Sequence, residues 1–221
     1  MKSWVFLDDK SKSLNWLNRN YFFVTTIFIV LLNIIIYAVH GTPRQIFKVT
    51  PNWSEFSVNN IFQAVVNSCS HSNWQHTLLN MLCFFIAGLY IERKKGSLKF
   101  LLFMFLLSLF EACATSTNDI SISAVGFSGI NYGLYSYIMI EFVCMLFQKE
   151  KRYLFNIIAG IVILCLIYFA MCFNGGTKTV SFVWYPYDLL HNLGHASGFV
   201  VGLILGIYEQ ACYFIDKYKS N

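Results

Sequence analysis

The chain has 221 residues, of which 57% are hydrophobic and 12% charged, with a formal net charge of +5. Soluble domains carry roughly 25% charged residues, so a water-soluble globular domain is excluded and a polytopic membrane protein is expected. The basic excess calls for no nucleic-acid partner, because the lysines and arginines flank apolar runs, where they meet the membrane surface.

A membrane-crossing helix takes about 20 predominantly apolar residues. Six such runs are read in chain order: Tyr21–Val39, His76–Ile91, Leu98–Ala114, Ser128–Phe147, Tyr153–Cys172 and Asn192–Ile215. The expected fold is an all-α bundle of six transmembrane helices. Residues 1–20 form a cytoplasmic segment, 21–215 the membrane domain and 216–221 a cytoplasmic tail. The first run is long and lacks a small-residue cleavage site after it, so it reads as a retained helix rather than a signal peptide. Of the 16 lysines and arginines, all but Arg44, Lys48 and Lys178 fall on one side of this arrangement. The positive-inside rule then places both termini in the cytoplasm.

The first run carries no chemistry; its Asn33 is expected to bond a neighbouring helix. Residues 40–75 form a long loop with scattered aromatics, expected as a partly immersed, partly helical hairpin on the outer side. The second run opens with His71 and continues through His76 and Asn80. The last two are four apart and share one helix face. Polar side chains inside a membrane helix face the protein interior and mark either function or interhelical hydrogen bonding. His71 and His76 lack a nearby third ligand of the kind a zinc site needs, and no metal or cofactor is expected. In the third run Glu111 stands out, read as hydrated or bonded to loop groups.

The fourth run is preceded by Gly126-Phe127-Ser128-Gly129. Glycines allow a sharp turn and close backbone approach. Ser128 then stands at a helix N-terminus, where unpaired N–H groups favour an oxyanion. The same residues also suit a plain helix start with Ser as N-cap. Tyr132 follows on the same face, placed to stack on an imidazole. Glu141 lies about 20 Å further along the helix and is read as solvated at the interface. The fifth run is apolar throughout, and the loop Phe173–His191 after it reads as a movable cap over the site. The sixth run places His195, Gly198, Gly202 and Gly206 on one face, so that another backbone can approach closely beside the histidine.

Ser128, His195 and the pair His76 and Asn80 thus fall at one depth of three helices. A serine becomes nucleophilic near neutral pH through a neighbouring histidine. An imidazole, an amide and the backbone N–H of Ser128 can hold the tetrahedral oxyanion. No acidic third member is evident, Asp188 being too far along the chain, so a Ser-His dyad is expected.

These residues resemble the rhomboid intramembrane serine proteases. The resemblance runs from His71 to Gly206. It rests on His71, His76 and Asn80 opening the second helix, Gly126 to Gly129 with Tyr132 around the nucleophile, and His195, Gly198 and Gly202 in the sixth helix. Glu92, Gly96 and Ser97 match the turn after the second helix. The long first loop departs from the family, lacking the Trp-Arg pair of many members. The resemblance implies a six-helix rhomboid-like bundle with Ser128 below the outer surface in a water-filled cavity. It implies an endopeptidase that works in the lipid bilayer, in a bacterial plasma membrane, and cuts membrane-protein substrates in or near their spanning segments. The rival readings are a catalytically inactive relative that holds membrane clients, although both Ser128 and His195 are present, and a small transporter, although no midplane charges or paired broken helices are visible.

Overall fold

Runs of leucine, isoleucine and phenylalanine without proline favour uninterrupted helices. The computed structural model describes residues 23–40, 68–71, 73–116, 126–146, 158, 161, 162, 165 and 193–219. It has five helices there: α1 (Val24–His40), α2 (Trp74–Lys95), α3 (Ser97–Ser116), α4 (Ser128–Leu146) and α5 (Leu193–Lys219), and no strand among the described residues. Most of the expected fifth span, the loop Phe173–Asn192, Asp188 and residues 41–67 lie outside the described residues. α2 starts two residues before His76, because the Asn73 side chain accepts the His76 N–H at 2.8 Å and caps the helix. It ends at Gly96, whose N–H bonds back to the Glu92 carbonyl at 2.8 Å. α5 continues past the expected Ile215 to Lys219.

The helices are apolar outward and polar inward. Ile27, Phe28, Leu31 and Ile35 of α1, Leu98, Leu101 and Leu102 of α3, and Ile204, Ile207 and Ile215 of α5 are exposed, whereas Asn33, Thr77, Asn80, Glu92, Asn131, Ser136 and Glu141 are buried. Water would penalise so large an apolar surface; lipid tails do not, and they leave polar groups to pair within the bundle. α2 and α5 each contain a stretch long and apolar enough to cross a membrane.

α4 is the central helix. Ile130, Tyr132, Leu134, Tyr137, Ile138 and Phe142 are all buried, though they point in different directions around its axis. Its neighbours are protein on nearly every side, so it tolerates Gly, Asn, Ser and Tyr in place of a continuous apolar surface. Its most extensive partner is α5. A Cβ on Gly198 would lie 2.0 Å from the Gly129 carbonyl oxygen, and one on Gly202 would lie 1.9 Å from that of Gly133. The two backbones are therefore in direct contact, and Ser136 adds an interhelical bond by donating to the Phe199 carbonyl at 2.8 Å.

The end of the bundle away from Ser128 is held by carboxylates. Glu92 accepts the N–H groups of Thr25 (2.9 Å) and Thr26 (2.8 Å), the Thr26 hydroxyl (2.6 Å) and the Ser97 hydroxyl (2.6 Å). One buried side chain thus joins the start of α1 to the end of α2 and the start of α3. Bonds to a charged acceptor are worth about 1.5–3 kcal/mol each. Glu92→Ala, which strands two amide donors of α1, is expected to lower stability by about 3 kcal/mol or more. Thermal unfolding in detergent checks this, and an unchanged midpoint contradicts it.

One sequence expectation is corrected. Glu141 is buried and paired, not solvated: it accepts from Lys94 and, at 3.1 Å, from the Tyr90 hydroxyl. The lysine comes from the end of α2, close enough to neutralise a carboxylate that would otherwise not stay buried. Asn33, expected to bond a neighbouring helix, donates to the Ile29 carbonyl of its own helix at 2.9 Å and hydrogen-bonds the Cys69 side chain in the segment before α2.

Candidate active site

The opposite end of the bundle gathers the start of α2, the end of α3 and the starts of α4 and α5. Gly126 has φ +125°, a conformation side-chain-bearing residues rarely adopt. A Cβ there would also lie 2.8 Å from His76 Cε1 and 3.6 Å from Asn80 Nδ2. Glycine is required at this position for two reasons: the backbone turns into α4, and it does so with His76 and Asn80 directly beside it.

Ser128 opens α4, and its Oγ lies 2.7 Å from His195 Nε2, near the start of α5. The His195 ring stacks on Tyr132, with centroids 4.4 Å apart and planes 16° from parallel. Tyr132 is buried, so it offers the imidazole a fixed surface. The close contact of α4 and α5 at Gly129–Gly198 and Gly133–Gly202 brings the two helix starts within this distance. Ser128, His76 and His195 are half-buried, and Asn80 is buried.

His71 is fully buried before α2, and its Nδ1 lies 3.3 Å from the Cys69 carbonyl. Its ring meets that of His76 edge-on at 5.3 Å. His71 therefore supports His76 from behind. The segment that carries it is tied to α3 by the 2.7 Å contact of Ser68 and Ser108 hydroxyls. At the mouth of the first loop, Tyr37 and Trp74 pack edge-to-face at 4.6 Å and join α1 to the start of α2. Among the described residues no group of three His, Cys, Asp or Glu is placed to hold a metal ion.

Ser128, His195, Tyr132, His76, Asn80, His71, Gly126, Gly129, Gly198 and Gly202 are thus all in one region. Two further residues belong to it that sequence spacing did not single out for this role. Glu111, read from the sequence as hydrated or bonded to loop groups, is buried at the end of α3. It accepts the backbone N–H of Gly129, and a Cβ on Gly129 would lie 2.3 Å from its carboxyl carbon. It occupies one of the free amides at the start of α4 and so fixes the helix one residue past Ser128. Asn131 is buried one turn beyond Ser128 and donates to Asn80. Neither partnership leaves a periodic signal, because each joins residues on different helices.

A hydroxyl held 2.7 Å from an imidazole nitrogen can lose its proton to that nitrogen as it attacks a carbonyl. The family profile described as "Rhomboid domain" matches residues 58–211. The "Rhomboid protease GlpG" of Haemophilus influenzae is 28% identical over 151 residues, which cover 68% of this chain and 70% of that protein. With a match over most of its length, the chain belongs to the rhomboid family of integral membrane proteins.

Proposed function

We propose that this protein is an intramembrane serine endopeptidase that cleaves the spanning segments of other membrane proteins, with Ser128 as nucleophile and His195 as general base. The observation that carries this reading is the 2.7 Å contact between Ser128 Oγ and His195 Nε2, with the imidazole stacked on Tyr132. Its similarity to a protein named as a protease supports it.

In this reading the Ser128 oxygen attacks the peptide carbonyl carbon while its proton passes to His195 Nε2. The carbonyl oxygen becomes an oxyanion held by the His76 ring, the Asn80 amide and the Ser128 backbone N–H. Collapse of the intermediate breaks the C–N bond, and the imidazolium returns its proton to the leaving nitrogen. Water then attacks the acyl-enzyme with His195 again as base, which releases the acid product and restores Ser128. The stack on Tyr132 keeps Nε2 aimed at the serine in both halves, a task that an acidic third member performs in triads. We place the active site in a cavity open to the outer side. Six spans with both termini in the cytoplasm agree with the basic residues at the other end of the bundle, among them Arg93, Lys94, Lys95 and Lys99.

Removing an oxyanion donor costs about 10²–10³ in kcat. Asn80→Ala and His76→Ala are each expected to lose activity on that scale, with KM little changed. Steady-state cleavage in proteoliposomes checks this, and full turnover in both variants would remove the pair from the mechanism. The reading as a whole is tested with a reporter carrying one spanning segment with helix-weak residues. Cleavage within or beside that segment, located by mass spectrometry and absent in Ser128→Ala, supports it. Retention of the reporter without cleavage by the wild type would favour a client-binding relative instead.

A further inference from the structure

Asn131 spends its amide on a single residue. Its Nδ2 lies 3.0 Å from the Asn80 carbonyl oxygen and 3.1 Å from Asn80 Oδ1. It is 2% exposed, so water does not compete for these bonds. A side-chain amide has two faces of opposite polarity, and a half-turn about its last torsion exchanges donor for acceptor. At Asn80 this choice has a chemical consequence. With Oδ1 turned to Asn131, Nδ2 faces Gly126, where a Cβ would lie only 3.6 Å from it. Turned the other way, Asn80 would direct an oxygen at the developing oxyanion and would face Asn131's N–H groups with its own.

We propose that Asn131 is a positioning residue for the reaction: it locks the Asn80 side-chain amide with its N–H groups toward the oxyanion. The proposal rests on the oxyanion role assigned to Asn80. Asn131 touches neither nucleophile nor base and acts only through Asn80. Preorganised donors are worth more than mobile ones because they need no reorientation as charge develops. Asn131 therefore contributes to rate without contributing to substrate binding.

The test is a double-mutant cycle measured by cleavage in proteoliposomes, with kcat and KM separated and thermal unfolding recorded in parallel. Asn131→Leu keeps the branched heavy-atom skeleton and removes both donors. It is expected to lower kcat roughly tenfold with KM unchanged, less than the about 10²–10³ for losing the Asn80 donor itself. In an Asn80→Ala background the same substitution is expected to have no further effect. Asn131→Val, one carbon shorter than the leucine, takes its place if the leucine variant does not fold. An unchanged kcat in Asn131→Leu overturns the proposal while leaving Asn80's role standing. A rise in KM at constant kcat, or an equal loss in the presence and absence of Asn80, also overturns it, because the first indicates a binding role and the second a purely structural one. If Asn80→Ala alone keeps full kcat, the oxyanion assignment fails and this proposal fails with it.

Discussion

Cleavage is expected to fall to background in Ser128→Ala and in His195→Ala, with the double variant no worse than either. Where nucleophile and base act as a unit, losing one removes nearly all that the pair supplies, a factor on the order of 10⁴ or more. In the proposed mechanism the 2.7 Å contact joins them as such a unit. His195 is without a serine to activate once Ser128 is gone, and Ser128 has only bulk solvent for a base once His195 is gone. Neither change opens a large cavity, because both side chains are half-buried. Thermal midpoints are therefore expected to move little. Single-turnover cleavage of a reporter substrate in proteoliposomes measures the effect. A double variant far worse than both singles would show two independent contributions and would separate the residues.

The second large effect comes from residues with no chemistry. Gly198→Ala and Gly202→Ala each place a methyl carbon within about 2 Å of a carbonyl oxygen of α4, at Gly129 and Gly133. Backbone cannot rotate away as a side chain can, so α4 and α5 must separate. Overpacking costs typically about 1–3 kcal/mol, and a clash of backbone with Cβ belongs at the upper end. The kinetic cost is larger than the structural one. Ser128 and His195 sit on the two helices being pushed apart, and a displacement of about 1 Å in catalytic geometry can cost on the order of 10²-fold. Both variants are expected to lose at least that factor in kcat while retaining helical circular dichroism. Gly206→Ala is the control: its Cβ would lie 3.1 Å from Ile140 Cβ, a far milder overlap that a shift of a few tenths of an ångström relieves, further from the site. Wild-type turnover in Gly198→Ala would show that the helix contact does not set the dyad distance.

What could be read from the sequence was what repeats along one helix. Ser128 and Tyr132 share a face at one turn's spacing, and so do His195, Gly198 and Gly202, so their convergence follows once the helices are recognised. The exposed leucines and isoleucines of α1, α3 and α5 were legible for the same reason, because lipid asks only for apolar character. Partnerships between helices were not. Glu141 reads as an interfacial acid until Lys94 and Tyr90, some 50 positions earlier, are seen to close on it. Glu111 reads as a loop contact until it is found on the amide of Gly129. Asn131 lies one position before Tyr132 in an ordinary-looking helix, and its tie to Asn80 depends on the packing angle of α2 against α4. Helix ends were legible to within a few residues, and α2 begins two residues before the expected His76 because Asn73 supplies the cap.

The central claim, that Ser128 is a nucleophile activated by His195, is tested most directly with a fluorophosphonate probe on the protein in lipid bilayers, followed by peptide mapping. Such a probe bonds covalently to a serine oxygen only when a base removes its proton. A single adduct is predicted on Ser128 in the wild type, absent in Ser128→Ala and reduced to background in His195→Ala. An adduct that forms at an undiminished rate in His195→Ala, or one that maps to another serine, would contradict it.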